Sequence, residues 1–406
     1  MTDKNINKRW FMLCVGVCAM LFSGVLYAWS ILKTPLKGEF GWKDSDLTLN
    51  FTLTMSFFCI GAFLGSILIK RIGTKLSIIL SGISVGVGFV LTACLNGDNI
   101  FLLYITYALL AGTGIGIAYN VVISTVSAWF PDKKGLCLGC LMMGFGTSTL
   151  ILGNLIAAFF ENEYIGWRKT YIIVGIVIAV VLIISGILLK RPAPDTVFPT
   201  PKAKNKFIKE NFETKDYTTN EMIRRFTYWR AFACLVLLTA VGNSVISFAR
   251  DLVLSVGATA GLATTLVGVL SVFNGVGRIL TGSLFDNIGR KNTMIAANVI
   301  TILAAFTTLV AVCISSLPLC IIGLCLTGLS YGSCPTVVSA FTSAFYGTKY
   351  FSKNFSITNS NLVFASLITT VNGNLLASTG SYVIPFAVLL SLATVALLLN
   401  FSIKKP

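Results

Sequence analysis

Phe273-Asn274-Gly275-Val276-Gly277-Arg278-Ile279-Leu280-Thr281-Gly282 sets one arginine inside an apolar run of about 259–285. No acid stands four residues away on either side, where Asn274 and Gly282 are found. A cation near a bilayer centre costs about 2.5–3.5 kcal/mol on insertion scales. Such a charge persists where it faces a watery cavity or meets an anion from outside. The stretch therefore predicts a membrane helix in which Arg278 binds an anion.

The composition agrees with a membrane chain. It is 55% hydrophobic and 11% charged, against about 25% charged residues in soluble domains, and the mean hydropathy is +0.84. A length of 406 residues accommodates about twelve spans of ~20 residues. The net charge of +16 would suggest nucleic acid in a soluble protein, but most of the basic residues sit between apolar runs and read as topology determinants. Lys4, Lys8 and Arg9 precede an apolar run too long for a signal peptide, so it reads as an uncleaved first span. Eleven cysteines lie almost entirely in apolar runs, and Cys137 and Cys140 form a lone CxxC without any histidine in the chain. No metal site or cofactor is expected, and with no histidine the commonest proton shuttle is missing.

The runs fall at about 10–32, 47–69, 76–95, 100–129, 136–160 and 169–189, then at about 228–249, 259–285, 292–314, 317–342, 354–377 and 382–402. Between the two sets lies a polar, proline- and lysine-containing stretch, with a short surface helix expected near 219–226. This divides the chain into an N-terminal six-helix bundle (1–189), a cytoplasmic central loop (190–227) and a C-terminal six-helix bundle (228–406). Lys70, Arg71, Lys75, Lys133, Lys134, Arg290, Lys291, Lys349, Lys353, Lys404 and Lys405 all fall on one side, with the central loop. By the positive-inside rule both termini are cytoplasmic.

The two halves repeat. Gly282-Ser-Leu-Phe-Asp286-Asn-Ile-Gly289-Arg290-Lys291 aligns without a gap on Ser66-Ile-Leu-Ile-Lys70-Arg71-Ile-Gly73-Thr-Lys75, at an offset of 216 residues. The pattern resembles the signature loop between the second and third spans of each half in the major facilitator superfamily. Gly282, Asp286, Gly289 and Arg290 match it, as does Gly73, whereas Ser66 and Lys70 replace the glycine and the acid. The resemblance implies that the acid caps a helix and pairs with a basic residue to hold one state, which Lys70 cannot do.

A narrower resemblance covers most of the chain. Ser23-Gly-Val-Leu-Tyr27-Ala-Trp29, Ala111-Gly-Thr-Gly-Ile-Gly-Ile-Ala-Tyr119, Trp129-Phe-Pro-Asp-Lys-Lys-Gly135, Phe273–Arg278 and Ser330-Tyr331-Gly-Ser-Cys-Pro335 look like the oxalate:formate antiporter and monocarboxylate transporter branch. The resemblance implies that Tyr27, Tyr119 and Tyr331 line the central cavity around Arg278. It also implies a second cation in the eleventh span for a dicarboxylate, at the position where this chain has Leu362. Thr358, Asn359, Ser360 and Asn361 offer neutral hydrogen-bonding groups there; Asn359 and Asn361 read either as substrate contacts or as glue between helices. Proton-coupled relatives carry an aspartate where this chain has Asn274, and a first-span lysine where it has Ile31. Lys33 is expected beyond the membrane.

From the residues themselves, Arg278 offers a planar fork of donors for a carboxylate, and Gly275 and Gly277 are expected to clear bulk beside it. Each tyrosine supplies an apolar ring with a hydroxyl donor. Gly112, Gly114 and Gly116 predict close helix contact, and Pro335 a kink near Tyr331. Arg250 and Asp251 read as an exposed pair or as an outer gate. The expected protein is all-α, with twelve membrane helices in two pseudo-symmetric halves. It is expected to be a monomer in a bacterial plasma membrane, without catalysis and without nucleic acid as a partner. Its expected cargo is a small organic anion, most simply a monocarboxylate held by the single cation Arg278 and moved by exchange. Proton-coupled symport, oxalate:formate-type antiport and a non-transporting sensor on the same fold stay open beside it.

Overall fold

Long apolar runs must satisfy their backbone polar groups internally where no water is available, and the helix does so within one segment. The computed structural model describes residues 3–130, 134–193, 196, 216–347 and 350–403. Among these residues, twelve helices are long and apolar enough to cross a membrane. Spans 1–6 are Lys8–Phe40, Asp44–Arg71, Gly73–Ala93, Phe101–Ser127, Cys137–Glu161 and Gly166–Leu188. Spans 7–12 are Phe226–Ser255, Ala260–Phe285, Lys291–Cys313, Leu317–Tyr346, Lys353–Thr379 and Val383–Phe401.

Each span overlaps the run expected from hydropathy, but two continue well past it. Span 1 reaches Phe40 rather than residue 32, and span 7 reaches Ser255 rather than residue 249. Hydropathy falls where Lys33 and Arg250-Asp251 begin, yet helical hydrogen bonding carries on. Span 1 ends at Gly41, at a φ of +64°, which donates its N–H to Lys37 O. This is the left-handed cap that glycine adopts without steric cost.

The repeat seen in the sequence has a backbone counterpart. Gly73 has a φ of +78° and Gly289 a φ of +74°, so a left-handed glycine joins spans 2 and 3 and another joins spans 8 and 9. The side chains of Asp286 and Arg290 lie outside the described residues, as does the lysine cluster of the central loop. The short helix of that loop is Thr219–Ile223. Thr218 and Glu221 cap its N-terminus reciprocally, satisfying donors a helix start leaves open. Tyr217 and Met222 anchor the segment against Tyr228, Phe341, Phe345 and Tyr346.

Inside the bundle the helices approach closely. A side chain on Gly116 would meet the Phe58 carbonyl, and one on Gly277 the Leu329 carbonyl. Outside it, Leu76, Leu80, Ile83, Val87 and Leu91 stand exposed along span 3 at helical spacing. Rows of exposed apolar residues on otherwise packed helices are what a lipid-facing surface requires.

Candidate functional site

Arg278 is 4% exposed in the C-terminal third of span 8. No carboxylate pairs with it among the described residues. Its Nη1 donates to Met142 Sδ at 3.0 Å and to Met142 O at 3.4 Å. Its Nη2 donates to Tyr27 Oη at 3.5 Å, and its buried Nε has no partner. A guanidinium holds five N–H donors, and here every acceptor it finds is neutral.

Three elements bring the tyrosines to it. Tyr27 lies in a 3₁₀ segment, Gly24–Ala28, that interrupts the α-helix of span 1. Tighter segments within a helix often mark functional positions, and this one lets Gly24 pass against the Phe145 carbonyl of span 5. Tyr27 Oη donates to Tyr331 Oη at 3.4 Å, and the two rings meet edge to face at 5.7 Å. Tyr119 Oη donates to Met142 Sδ at 3.3 Å, so Tyr119 and Arg278 share one sulfur as acceptor. Phe145 packs edge to face on Tyr27 and on Tyr119, with centroids at 5.3 and 5.4 Å.

Arg278 stands at the head of a cavity of about 430 Å³, bounded by Gly139 and Met142 of span 5, Gly282 and Ser283 of span 8, and Thr336 and Ser339 of span 10. The volume suits a small ligand. The cavity extends from Arg278 toward the end of the bundle that carries the basic loops. Tyr27, Tyr119 and Tyr331 surround the guanidinium and its sulfur acceptor rather than lining this space. Gly275 and Gly277 do not widen it either: Gly275 faces Met143 of span 5, and Gly277 faces the Leu329 carbonyl of span 10. Their small size serves helix contact.

The remaining predicted residues divide. Asn274 is fully buried one turn before Arg278, and neither atom of its carboxamide has a partner. Asn361 donates to Thr239 Oγ1 at 3.0 Å, joining span 11 to span 7, while its carbonyl oxygen is unpartnered. Asn359 accepts from Cys59 Sγ through its backbone carbonyl at 3.8 Å. Asn359, Asn361 and Leu362 border a second, much smaller cavity on the far side of Tyr331. Tyr331 joins them to the Arg278 cluster through Tyr27, and Pro335 borders both cavities. Span 10 stays helical through Pro335.

Lys33 lies past the end of the apolar run yet is 2% exposed, inside the helix of span 1, and its Nζ lies 2.7 Å from Asp251 Oδ2 and 3.9 Å from Asp44 Oδ1. Asp251 therefore pairs across the two halves, and Arg250 instead donates from Nε to Thr264 Oγ1 at 3.4 Å. Lys37 holds Asp44 at 2.7 Å. Tyr382 joins the group: burial, then the nearby Asp251 and Asp44 carboxylates, push its phenol well above its ordinary range, so it remains neutral. The cluster sits at the end of spans 1 and 7 opposite the cavity. Nothing in the hydropathy pattern could mark it, because the partners are 218 residues apart and each ends an apolar run.

A second seam went unseen in the sequence. Asn243 donates to Ser366 Oγ at 3.0 Å, and Asn372 to Ser244 Oγ at 3.2 Å. Thr52 of span 2 bonds Ser366 O and Thr370 Oγ1, each at 2.6 Å. These neutral contacts stitch spans 2, 7 and 11 together, at about 0.6 kcal/mol apiece by the average for such bonds in membranes.

The sequence matches the profile of the family described as Major Facilitator Superfamily over residues 11–249 and 231–406. It is 28% identical over 366 residues to the MFS-type transporter YhjX of Escherichia coli K12, covering 88% of this chain and 86% of that one. It is 27% identical over 355 residues to the oxalate:formate antiporter of Oxalobacter formigenes, covering 86% of this chain and 80% of that one. In structure it is similar to the partially occluded inward-open xylose transporter XylE of E. coli, with a TM-score of 0.72 at 12% identity. That match covers 97% of this chain and 99% of the other, and it bears on the fold alone.

Proposed function

The chain belongs to the major facilitator superfamily, and on that premise we propose that it carries small organic anions, most simply monocarboxylates, with Arg278 as the binding cation. The observation that carries this reading is Arg278 itself: buried, without a carboxylate partner among the described residues, and at the head of a 430 Å³ cavity. A buried charge with only neutral acceptors is costly, and a carboxylate entering from the cavity would relieve that cost through charge-assisted bonds. Tyr27 and Tyr119 hydroxyls, beside the guanidinium and beside its sulfur acceptor, are the next donors within reach. Asn274 and the eleventh-span Asn359 and Asn361 are secondary candidates, the last two by way of Tyr331.

Charge matching favours a monoanion. Leu362 supplies no cation, and the buried Lys33 is already engaged by Asp251 and Asp44. A dianion against one arginine would leave a net charge in a low-dielectric site. An empty carrier with an uncompensated Arg278 resists reorientation, which favours exchange between the two sides, the halves rocking about the central site. The relative named oxalate:formate antiporter is consistent with exchange of carboxylates. The same reading places a monomer in the plasma membrane with both termini on the cytoplasmic side.

The test is transport in proteoliposomes, with labelled formate, acetate and oxalate outside and the same anions unlabelled inside. Uptake should require an internal anion and should vanish in Arg278→Ala. Uptake into anion-free vesicles driven by a proton gradient would instead support symport. That second reading has one observation in its favour: Asp251, within span 7, is a carboxylate whose partner Lys33 sits on the opposite half.

A further inference from the structure

Met142 occupies an unusual place for a thioether. Its sulfur accepts from Arg278 Nη1 at 3.0 Å and from Tyr119 Oη at 3.3 Å. Sulfur of this kind is a weak acceptor, yet here two strong donors from spans 8 and 4 converge on it. Met142 also borders the cavity that ends at Arg278. We propose that Met142 is the specificity-setting occupant of the anion site: its sulfur holds the position of a carboxylate oxygen bridging Arg278 and Tyr119, and the substrate must displace it. The proposal rests on the reading of Arg278 as the anion-binding residue.

The chemistry of each partner fits that exchange. A carboxylate oxygen is charged and accepts strongly, so both donors gain when it replaces sulfur. Methionine is unbranched, with three rotatable bonds, and can move aside without shifting the backbone. Its backbone carbonyl, 3.4 Å from Nη1, stays to orient the guanidinium. The displaced side chain turns into the space it already borders and presents an apolar methyl to the rest of the anion. A second carboxylate would meet that methyl and find no cation, whereas a short apolar remainder would pack on it. The site thus favours small monocarboxylates for a local reason beyond the count of charges.

Two substitutions of similar size separate this role from packing. Met142→Leu removes the acceptor, so the empty site is less satisfied and an anion should bind more tightly, by roughly threefold for loss of one weak bond. Met142→Gln supplies a strong amide acceptor to Arg278 and should weaken anion binding about tenfold. Binding of formate, acetate, oxalate and malonate would be read by ligand-dependent thermal stabilisation of the purified full chain. Oxidation of wild-type Met142 to the sulfoxide, located by mass spectrometry, provides the same test on the native sequence. The sulfoxide oxygen is a strong acceptor and should weaken binding as glutamine does. Shifts of Leu and Gln in opposite directions support the proposal. Equal shifts in one direction, or no shift, while Arg278→Ala abolishes binding, would overturn it and leave the Arg278 reading intact. Retention of binding in Arg278→Ala would overturn both.

Discussion

Lys33 and Asp251 meet at 2.7 Å across the two halves of the bundle, at the end of spans 1 and 7 away from the Arg278 cavity. The lysine side chain is 3% exposed and the aspartate 30%. Nearly buried on one side and wetted on the other, the pair fastens the halves where the cavity does not reach. Alternating access requires that such a fastening break each time this end opens.

Breaking it should therefore favour the state open at this end. Removing one partner of a fully buried pair costs about 3–5 kcal/mol. Since Asp251 is partly solvated and Asp44 remains beside Lys33, Asp251→Asn should cost about 1–2 kcal/mol. Thermal unfolding of the single variants and of the swap Lys33→Asp with Asp251→Lys would measure the coupling, which the swap should partly restore. A cysteine at Thr34, introduced without the native reactive thiols, should react faster with an impermeant reagent in Asp251→Asn. An unchanged rate would show that the pair does not fasten this end.

Leu362→Lys should move preference toward dianions. Leu362 borders the small cavity behind Tyr331, so a lysine there sets a second positive charge within one residue layer of the Arg278 cluster. Oxalate should then stabilise the protein more than formate does, by about tenfold in apparent affinity for one charge-assisted bond. Competition binding on the purified variant reads this directly; a ratio unchanged from wild type would show that a charge at the small cavity does not reach an anion held at Arg278.

Two glycines of span 8 should respond differently to alanine. A methyl on Gly277 would strike the Leu329 backbone carbonyl, whereas one on Gly282 would find nothing nearer than Thr336 Cγ2 at 3.9 Å. Gly277→Ala should destabilise the fold by about 1–3 kcal/mol, as overpacking does, and should weaken anion binding by moving Arg278. Gly282→Ala should leave the unfolding free energy within about 0.5 kcal/mol of wild type. Equal stabilities for the two variants would contradict the close approach of spans 8 and 10.

Gly289 adopts a φ of +74° with a ψ of 172°, a region almost confined to glycine that costs other residues about 1–3 kcal/mol. Gly289→Ala should lower stability by that amount through backbone strain alone, since nothing lies within 4 Å of a side chain placed there. The expected signature is a reduced midpoint in detergent with Arg278-dependent binding retained. A neutral result would mean that the link between spans 8 and 9 relaxes freely.

The fold was legible because its causes are local. Span length, the alternation of apolar runs with basic loops, and the repeated glycines 73 and 289 are properties of short segments. Each survives without knowledge of any neighbour. Arg278 was legible for the same reason, as a charge that no residue on its own helix could neutralise. The ends of spans 1 and 7 were not, because hydropathy stops at a charge whereas the backbone does not.

By itself the sequence determined an all-helical membrane chain of twelve spans in two halves, with one unexplained central cation. It could not decide what that cation touches. Met142 and Phe145 read as ordinary apolar residues, and only the crossing of spans 1, 4, 5 and 8 brings that sulfur between Arg278 and Tyr119. Nor could it decide that Lys33 is buried, since burial of a charge depends on a partner and Asp251 arrives from the other half. Hydrophobic burial is nearly additive and readable along the chain. Pairing of polar groups depends on distances of a few ångströms between distant residues, and those exist only once the helices have packed.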